Sequence, residues 1–194
     1  MPKFAGGAAL SWRFVIGPIV IYLIERLVRF IRGLFRREIA YYKLHPSSVI
    51  EIAIKNNGKN KINYTAGQYI YLKVPSISWF EWHPFTITSA PDDENLTVHI
   101  RTAGDWTEKL RKSIQSKDPS DKAPTFKHIS VDGPYGSSAE DIYKYETVVL
   151  VGAGIGVTPY ASILKDIWHK MNKSDMNLKV RKVNFFWICQ NTGT

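Results

Sequence analysis

Three segments of this chain combine residue types and spacings that can hold a ligand carrying both a flat ring and phosphates. The first is His83-Pro84-Phe85-Thr86-Ile87-Thr88-Ser89-Ala90-Pro91. A proline at the mouth of a strand keeps the backbone extended and costs no ladder hydrogen bond there. Beyond it, strand alternation sends Phe85 and Ile87 to one face and Thr86 and Thr88 to the other. Hydroxyls and strand amides in that position can grip a planar heterocycle by its edge. Taken alone, the segment reads equally as an edge strand with surface threonines.

The second segment is Leu96-Thr97-Val98-His99-Ile100-Arg101, followed by Gly104-Asp105-Trp106-Thr107-Glu108. A period of two puts Leu96, Val98 and Ile100 in a core and Thr97, His99 and Arg101 on the opposite face. The glycine turn then opens a helix, with Asp105 and Glu108 at capping-box spacing and Thr107 adding a hydroxyl. A helix start offers free amides and partial positive charge, which suits a diphosphate, and Arg101 would stand beside it. The plainer reading is a surface arginine and an ordinary cap.

The third segment is Val151-Gly152-Ala153-Gly154-Ile155-Gly156-Val157-Thr158-Pro159. Glycines directly after a strand permit a tight turn and let a pyrophosphate approach the backbone. Thr158 is placed to cap the next helix, and Pro159 suits its first turn. The spacing is G-x-G-x-G rather than the dinucleotide fingerprint G-x-G-x-x-G. Asp132-Gly133-Pro134-Tyr135-Gly136 reads as a further turn that could line the same cleft.

The elements needed to position these segments follow from the pattern around them. Ser48 to Ile54, Gly67 to Val74, Phe85 to Thr88 and Asn95 to Arg101 read as short strands of a small antiparallel barrel, with a turn at Asn56 to Asn60. Residues Ser116 to His128 are polar, contain two prolines and read as a loop. Thr147 to Val151 is an apolar strand, followed by the glycine turn, a helix to about Met171 and a second strand from Val183 to Ile188. One strand–helix–strand unit begins a parallel sheet but cannot cover both faces of it, so the nucleotide domain is expected to be incomplete in this chain.

Between Phe4 and Ile24 the only charged residue is Arg13, and Arg26, Arg29, Arg32, Arg36 and Arg37 follow closely. An apolar run of about 20 residues spans a bilayer core, so this is a marginal membrane helix. The basic cluster would put the remainder on the cytoplasmic side. Arg26, Arg29 and Arg32 fall at helical spacing, as one basic stripe near the headgroups. The alternative is a core helix followed by a solvated basic face.

Formal net charge is +9 across 194 residues, yet no zinc-type Cys/His cluster or nucleic-acid motif accompanies it. Nucleic acid is therefore excluded as a partner. A single cysteine, Cys189, leaves no internal disulfide and points to a reducing compartment.

Taken in order, these segments resemble the ferredoxin-reductase-like flavoproteins, and in detail the superoxide-producing flavocytochrome NADPH oxidases. The resemblance runs through W-R-F-V-I-G-P at 12–18, E-R-L-V-R-F at 25–30, G-Q-Y at 67–69, E-W-H-P-F-T-I-T-S-A-P at 81–91, H-I-R at 99–101, G-D-W-T at 104–107, V-D-G-P-Y-G at 131–136 and G-A-G-I-G-V-T-P at 152–159. It implies a final membrane helix and its basic end over 1–31, a ferredoxin-reductase-type FAD-binding β-barrel over 32–140, and the start of an α/β NADPH-binding domain over 141–194. NADPH would pass a hydride to FAD, and single electrons would leave for haem on membrane helices absent from this chain.

By position, the resemblance assigns His83, Pro84, Phe85, Thr86, Thr88 and Ser89 to the isoalloxazine and ribityl side of FAD. Arg101 and Thr107 go to its pyrophosphate. Gly152, Gly154, Gly156, Val157, Thr158 and Pro159 go to the nicotinamide nucleotide. No side chain need act as acid or base, and no metal ligand is implied. The implied partners are the membrane, the haem-bearing remainder of the oxidase and regulatory subunits, with both nucleotide-binding regions cytoplasmic. Gln190 stands where the family usually has an arginine, which removes one partner for a 2′-phosphate. A metalloreductase with the same flavin module, and a non-catalytic chain that competes for oxidase partners, are the other readings.

Overall fold

The computed structural model describes residues 11–58, 61–115, 126–173 and 178–189. Helix α1 (Ser11–Arg32) leads into β1 (Arg36–His45), β2 (Val49–Lys55), β3 (Tyr69–Lys73), β4 (His83–Thr86) and β5 (Asn95–Arg101). Then come α2 (Asp105–Gln115), β6 (His128–Tyr135), a 3-10 turn over Ser138–Lys144, β7 (Thr147–Ala153), a second 3-10 turn over Gly154–Val157, α3 (Thr158–Asn172) and β8 (Lys182–Ile188). Asp132 to Tyr135 were expected as a free turn and instead end a strand; of the loop expected over Ser116 to His128, residues 116–125 lie outside the described residues and His128 opens β6.

Strands β1 to β6 form one antiparallel sheet in the order β4-β3-β6-β1-β2-β5. Its core is the alternate residues of these strands, among them Ile50, Ile52, Ile70, Leu72, Leu96, Val98 and Ile100, each at most 1 % exposed. The alternation read from Leu96 to Arg101 holds in full.

A closed barrel was expected, and the sheet does not close. Its edge strands meet at a single bridge, Ile87 to Val98. Beyond that bridge the Thr97 amide bonds the Ser89 hydroxyl (3.0 Å) instead of a strand carbonyl. On the other side, Trp106 of α2 takes the place a strand would fill. Its ring lies 4.3 Å from that of His83 and 6.0 Å from that of Phe85. The seam is thus held by one backbone bond, from the Thr88 amide to the Thr97 carbonyl (2.8 Å), and by the Ser89 hydroxyl, with the indole packed beside His83 and Phe85.

Helix α1 presents large apolar side chains on all sides, with Phe14 82 % and Ile21 70 % exposed. Among the described residues no helix is long and apolar enough to cross a membrane. The apolar run begins at residues 4–10, outside the described residues.

The C-terminal end of α1 is fixed to the sheet. Ser130 Oγ donates to the Gly33 carbonyl (2.8 Å), and Arg32 bonds the buried Asp132 carboxylate (3.1 Å). The expected basic stripe is therefore partly spent, since Arg26 and Arg29 also pair with Glu25.

Strands β7 and β8 pair in parallel, from Thr147–Lys182 to Ala153–Ile188. Val148 packs with Ile163 and Ile167 of α3 on one face. The other face exposes Val149, Val151, Phe186 and Ile188. That distribution agrees with a parallel unit that is covered on one side only.

Candidate functional site: a cleft between the sheet and the glycine turn

A cleft of about 500 Å³ opens between the β3–β4 edge of the sheet and the start of α3. One wall is Gly67, Tyr69, Tyr71, Pro84, Phe85 and Thr86; the other is Ser137, Ser138, Ala139, Pro159 and Tyr160. An aromatic-lined slot with a few hydroxyls is the form expected of a site for a flat cofactor ring.

Strand geometry explains the first wall. Tyr69 pairs with Thr86 and Tyr71 with Pro84, so alternate residues of both strands share one face. Tyr69, Tyr71 and Tyr135 cluster with ring centroids 5.6–5.8 Å apart, Tyr71 meeting the other two edge to face. Arg29 of α1 lies over Tyr71, 5.3 Å from its ring.

The floor is a polar lattice built from sequence-distant residues. The Ser137 hydroxyl donates to the Gly67 carbonyl (2.7 Å), and Gln68 bonds Glu140 (3.0 Å). Glu140 in turn accepts the Ser137 amide (2.8 Å), completing a capping box for the 3-10 turn. Gly67 has φ +95°, and a Cβ there would stand 3.2 Å from Ile163 and 3.3 Å from Ala139. Only glycine keeps this floor low.

The residues singled out in the sequence divide into groups. Pro84, Phe85 and Thr86 face the cleft, as does Pro159 from across it. His83 lies beside them, stacked on Trp106 and 3.2 Å from Glu81. The Thr88 and Ser89 side chains turn inward. Thr88 Oγ1 contacts the Thr97 carbonyl (3.1 Å) and His99 Nδ1 (2.8 Å), while Ser89 Oγ bonds Tyr64 (2.7 Å).

At the start of α2 the capping differs from the expected box. Thr107 Oγ1 accepts the amides of Ala103 and Gly104, both at 3.0 Å. That hydroxyl is thus committed to its own helix, and Arg101 is exposed at the end of β5. Thr102 Oγ1 and Trp106 Nε1 are buried here without a hydrogen-bond partner.

The glycine turn also departs from expectation. Val157, not Thr158, precedes the first residue of α3, and no side chain caps it. Gly152 is required for packing, because a Cβ there would lie 3.2 Å from Val157 Cα. Gly154 turns the chain with φ +51°, and Gly156 follows in the 3-10 turn. Gln190 lies outside the described residues.

Helix α3 is tied to the loop that follows β4. Asp93 bonds Lys165 (2.6 Å) and His169 (3.1 Å), and Lys173 pairs with Asp92 (3.0 Å). Burial works to raise the Asp93 pKa, but Lys165, the Ala90 amide and His169 together hold it below the usual carboxylate value.

Sequence reasoning named G-Q-Y but did not assign Gly67, Tyr69, Tyr71 or Tyr160 to the site. For Tyr69 and Tyr71 the signal was their period of two within the strand.

Residues 34–139 match the FAD-binding domain family, and residues 145–194 match the ferric reductase NAD binding domain. The chain is 46 % identical over 192 residues to NADPH oxidase 1 of Mus musculus, covering 99 % of this chain and 31 % of that protein. It is 42 % identical over 193 residues to NADPH oxidase 3 of Homo sapiens, covering 98 % and 33 %. The chain thus spans about a third of the length of the curated relatives it matches. Its fold is similar to a ferredoxin NADP+ reductase from Neisseria gonorrhoeae (TM-score 0.58, 18 % identity, 79 % of this chain and 56 % of that one). The chain belongs to the FAD-binding domain family.

Proposed function

We propose that this chain is the dehydrogenase region of a superoxide-producing NADPH oxidase. It would take reducing equivalents from NADPH and feed electrons singly to haem carried on other membrane helices. The observation that carries this reading is the cleft itself, where Phe85 and Thr86 face Pro159 and Tyr160. That arrangement supports the reading, because residues of the H-P-F-T segment and of the start of α3 line one slot.

The residues fit FAD. The slot is apolar and flat-walled, its floor is kept open by Gly67, and buried polar atoms at Thr102 and Trp106 lack partners near the start of α2. FAD, when bound, supplies the hydride-accepting ring and the release of electrons one at a time. Pro84, Phe85 and Thr86 would line the ring, with His83 beside them. Thr88 and Ser89 would act through backbone groups and by holding the strand end in place. Arg101, exposed at the end of β5, would neutralise the diphosphate, and Thr107 would shape the helix start that meets it. Gly152, Gly154 and Gly156 would let the NADPH phosphates approach the turn, with Val157, Thr158 and Pro159 at the ribose.

In this reading residues 1–31 form a membrane helix and its basic end, 32–140 the FAD domain and 141–194 part of the NADPH domain, both domains cytoplasmic. The exposed apolar surface of α1 supports placement in lipid. The haem-bearing part of the oxidase and regulatory subunits would be its partners.

A second reading is favoured by the match of residues 145–194 to the ferric reductase NAD binding domain: reduction of ferric or cupric ions by the same module. The test is reconstitution of the purified chain with FAD. A bound-flavin spectrum bleached by NADPH supports a dehydrogenase. Bound flavin that NADPH does not bleach would instead indicate a non-catalytic chain, and no bound flavin would refute both enzyme readings. Within the intact assembly, superoxide rather than ferrous product separates the oxidase from the metalloreductase.

A further inference from the structure

Away from the cleft, three potential metal ligands converge from three strands. His45 ends β1, Glu51 lies in β2 and His99 lies in β5, and one ligand atom of each falls within 4.8 Å of the other two. Register explains the convergence: Lys43 pairs with Glu51, and Glu51 pairs with His99. We propose that His45, Glu51 and His99 bind a divalent transition-metal cation of the zinc type, through two imidazole nitrogens and one carboxylate oxygen.

The ligand atoms already lie close to a coordination shell. His45 Nε2 is 2.7 Å from Glu51 Oε2, and His99 Nε2 is 3.8 Å from the same oxygen. Tetrahedral zinc with bonds of about 2.0–2.1 Å needs ligand atoms about 3.3 Å apart, midway between these separations. Small side-chain rotations open one gap and close the other.

The supporting contacts are those that metal-binding histidines and carboxylates require. Thr88 Oγ1 lies 2.8 Å from His99 Nδ1, 2.9 Å from Thr97 Oγ1 and 3.1 Å from the Thr97 carbonyl, so it can accept from Nδ1 while donating to a Thr97 oxygen. With Nδ1 donating to Thr88, the tautomer a metal-bound His99 takes, the Nε2 lone pair is on the side of Glu51. The Tyr41 hydroxyl donates to Glu51 Oε1 (2.9 Å), which orients the carboxylate and leaves Oε2 for the cation. The His45 and His99 side chains are 28 % and 30 % exposed, so an ion and one water as fourth ligand can enter. Two nitrogens with one oxygen favour zinc or cobalt over magnesium or calcium.

The experiment titrates Zn²⁺ into the full chain in detergent after chelator treatment, with Co²⁺ as the spectroscopic probe. One tight Zn²⁺ per chain and visible Co²⁺ d–d bands are expected. His45→Ala, Glu51→Gln and His99→Ala should each lose both, and Thr88→Ala should weaken binding roughly 10–100-fold. Cys189→Ser should bind undiminished. His45→Gln, a milder change at the end of a strand, keeps the test valid if His99→Ala does not fold. Absence of stoichiometric binding in the wild-type chain overturns the proposal. So does undiminished binding by the histidine variants, or loss of binding on removing Cys189.

Discussion

The Ser162 hydroxyl donates to the Ser89 carbonyl at 2.6 Å, and both residues are 0 % exposed. This bond joins α3, which begins after the glycine turn, to the end of the H-P-F-T segment. Ser162→Ala leaves a buried acceptor without a donor. It should lower stability by about 1–3 kcal/mol. Equilibrium urea unfolding measures this, and an unchanged midpoint would mean that the contact contributes nothing to holding α3 in place.

Gly67→Ala should reduce flavin occupancy as well as stability. The backbone sits at φ +95°, and the new methyl would press on Ile163 and Ala139 at the cleft floor. A strained alanine of this kind costs at least about 1 kcal/mol. Flavin absorbance per chain after reconstitution is the measurement, and full occupancy would exclude Gly67 from the floor of a flavin site.

Acid should loosen α3. The folded Asp93 pKa is depressed by Lys165, the Ala90 amide and His169, against the opposing effect of burial. A depressed carboxylate contributes stability above its unfolded pKa, about 3.9, and that contribution fades as pH falls through the folded value. Asp93→Asn should therefore lower the melting temperature at neutral pH and flatten its decline below about pH 4. Parallel melting curves for both proteins across that range would remove Asp93 from the account.

Thr86→Ala and Arg101→Ala should both weaken FAD binding. Thr86 lines the cleft, and Arg101 stands exposed at the end of β5 near the start of α2. Loss of the guanidinium should cost about 1.5–3 kcal/mol if it meets a phosphate. Fluorescence titration with FAD decides the matter: wild-type affinity in both variants would displace the cofactor from this path.

Much of this arrangement was legible in the order of residues. Leu96 to Arg101 alternates as the burial does, and Thr147 to Val151 is apolar enough to begin a parallel pair. Strand β1 was hidden because it opens with Arg36, Arg37 and Glu38 and its residues do not alternate cleanly in exposure. Strand β6 was hidden by Gly133 and Pro134, residues that usually signal turns. The inward turn of Thr88 and Ser89 depends on the seam between β4 and β5, a long-range pairing that local periodicity cannot report. The meeting of His45, Glu51 and His99 depends likewise on strand order. The G-x-G-x-G turn was recognised, but its 3-10 geometry moved the helix start past Val157.

Helix α1 and strand β6 are joined twice, by Ser130 to Gly33 and by Asp132 to Arg32, and Tyr135 continues the same strand into the tyrosine cluster. Such a double weld transmits inclination. In the bilayer setting proposed for α1, a change in lipid thickness that leans the helix would swing the cleft's aromatic wall through the same angle. The slot would then keep a fixed bearing relative to the helix axis, whatever the tilt of that axis in the lipid.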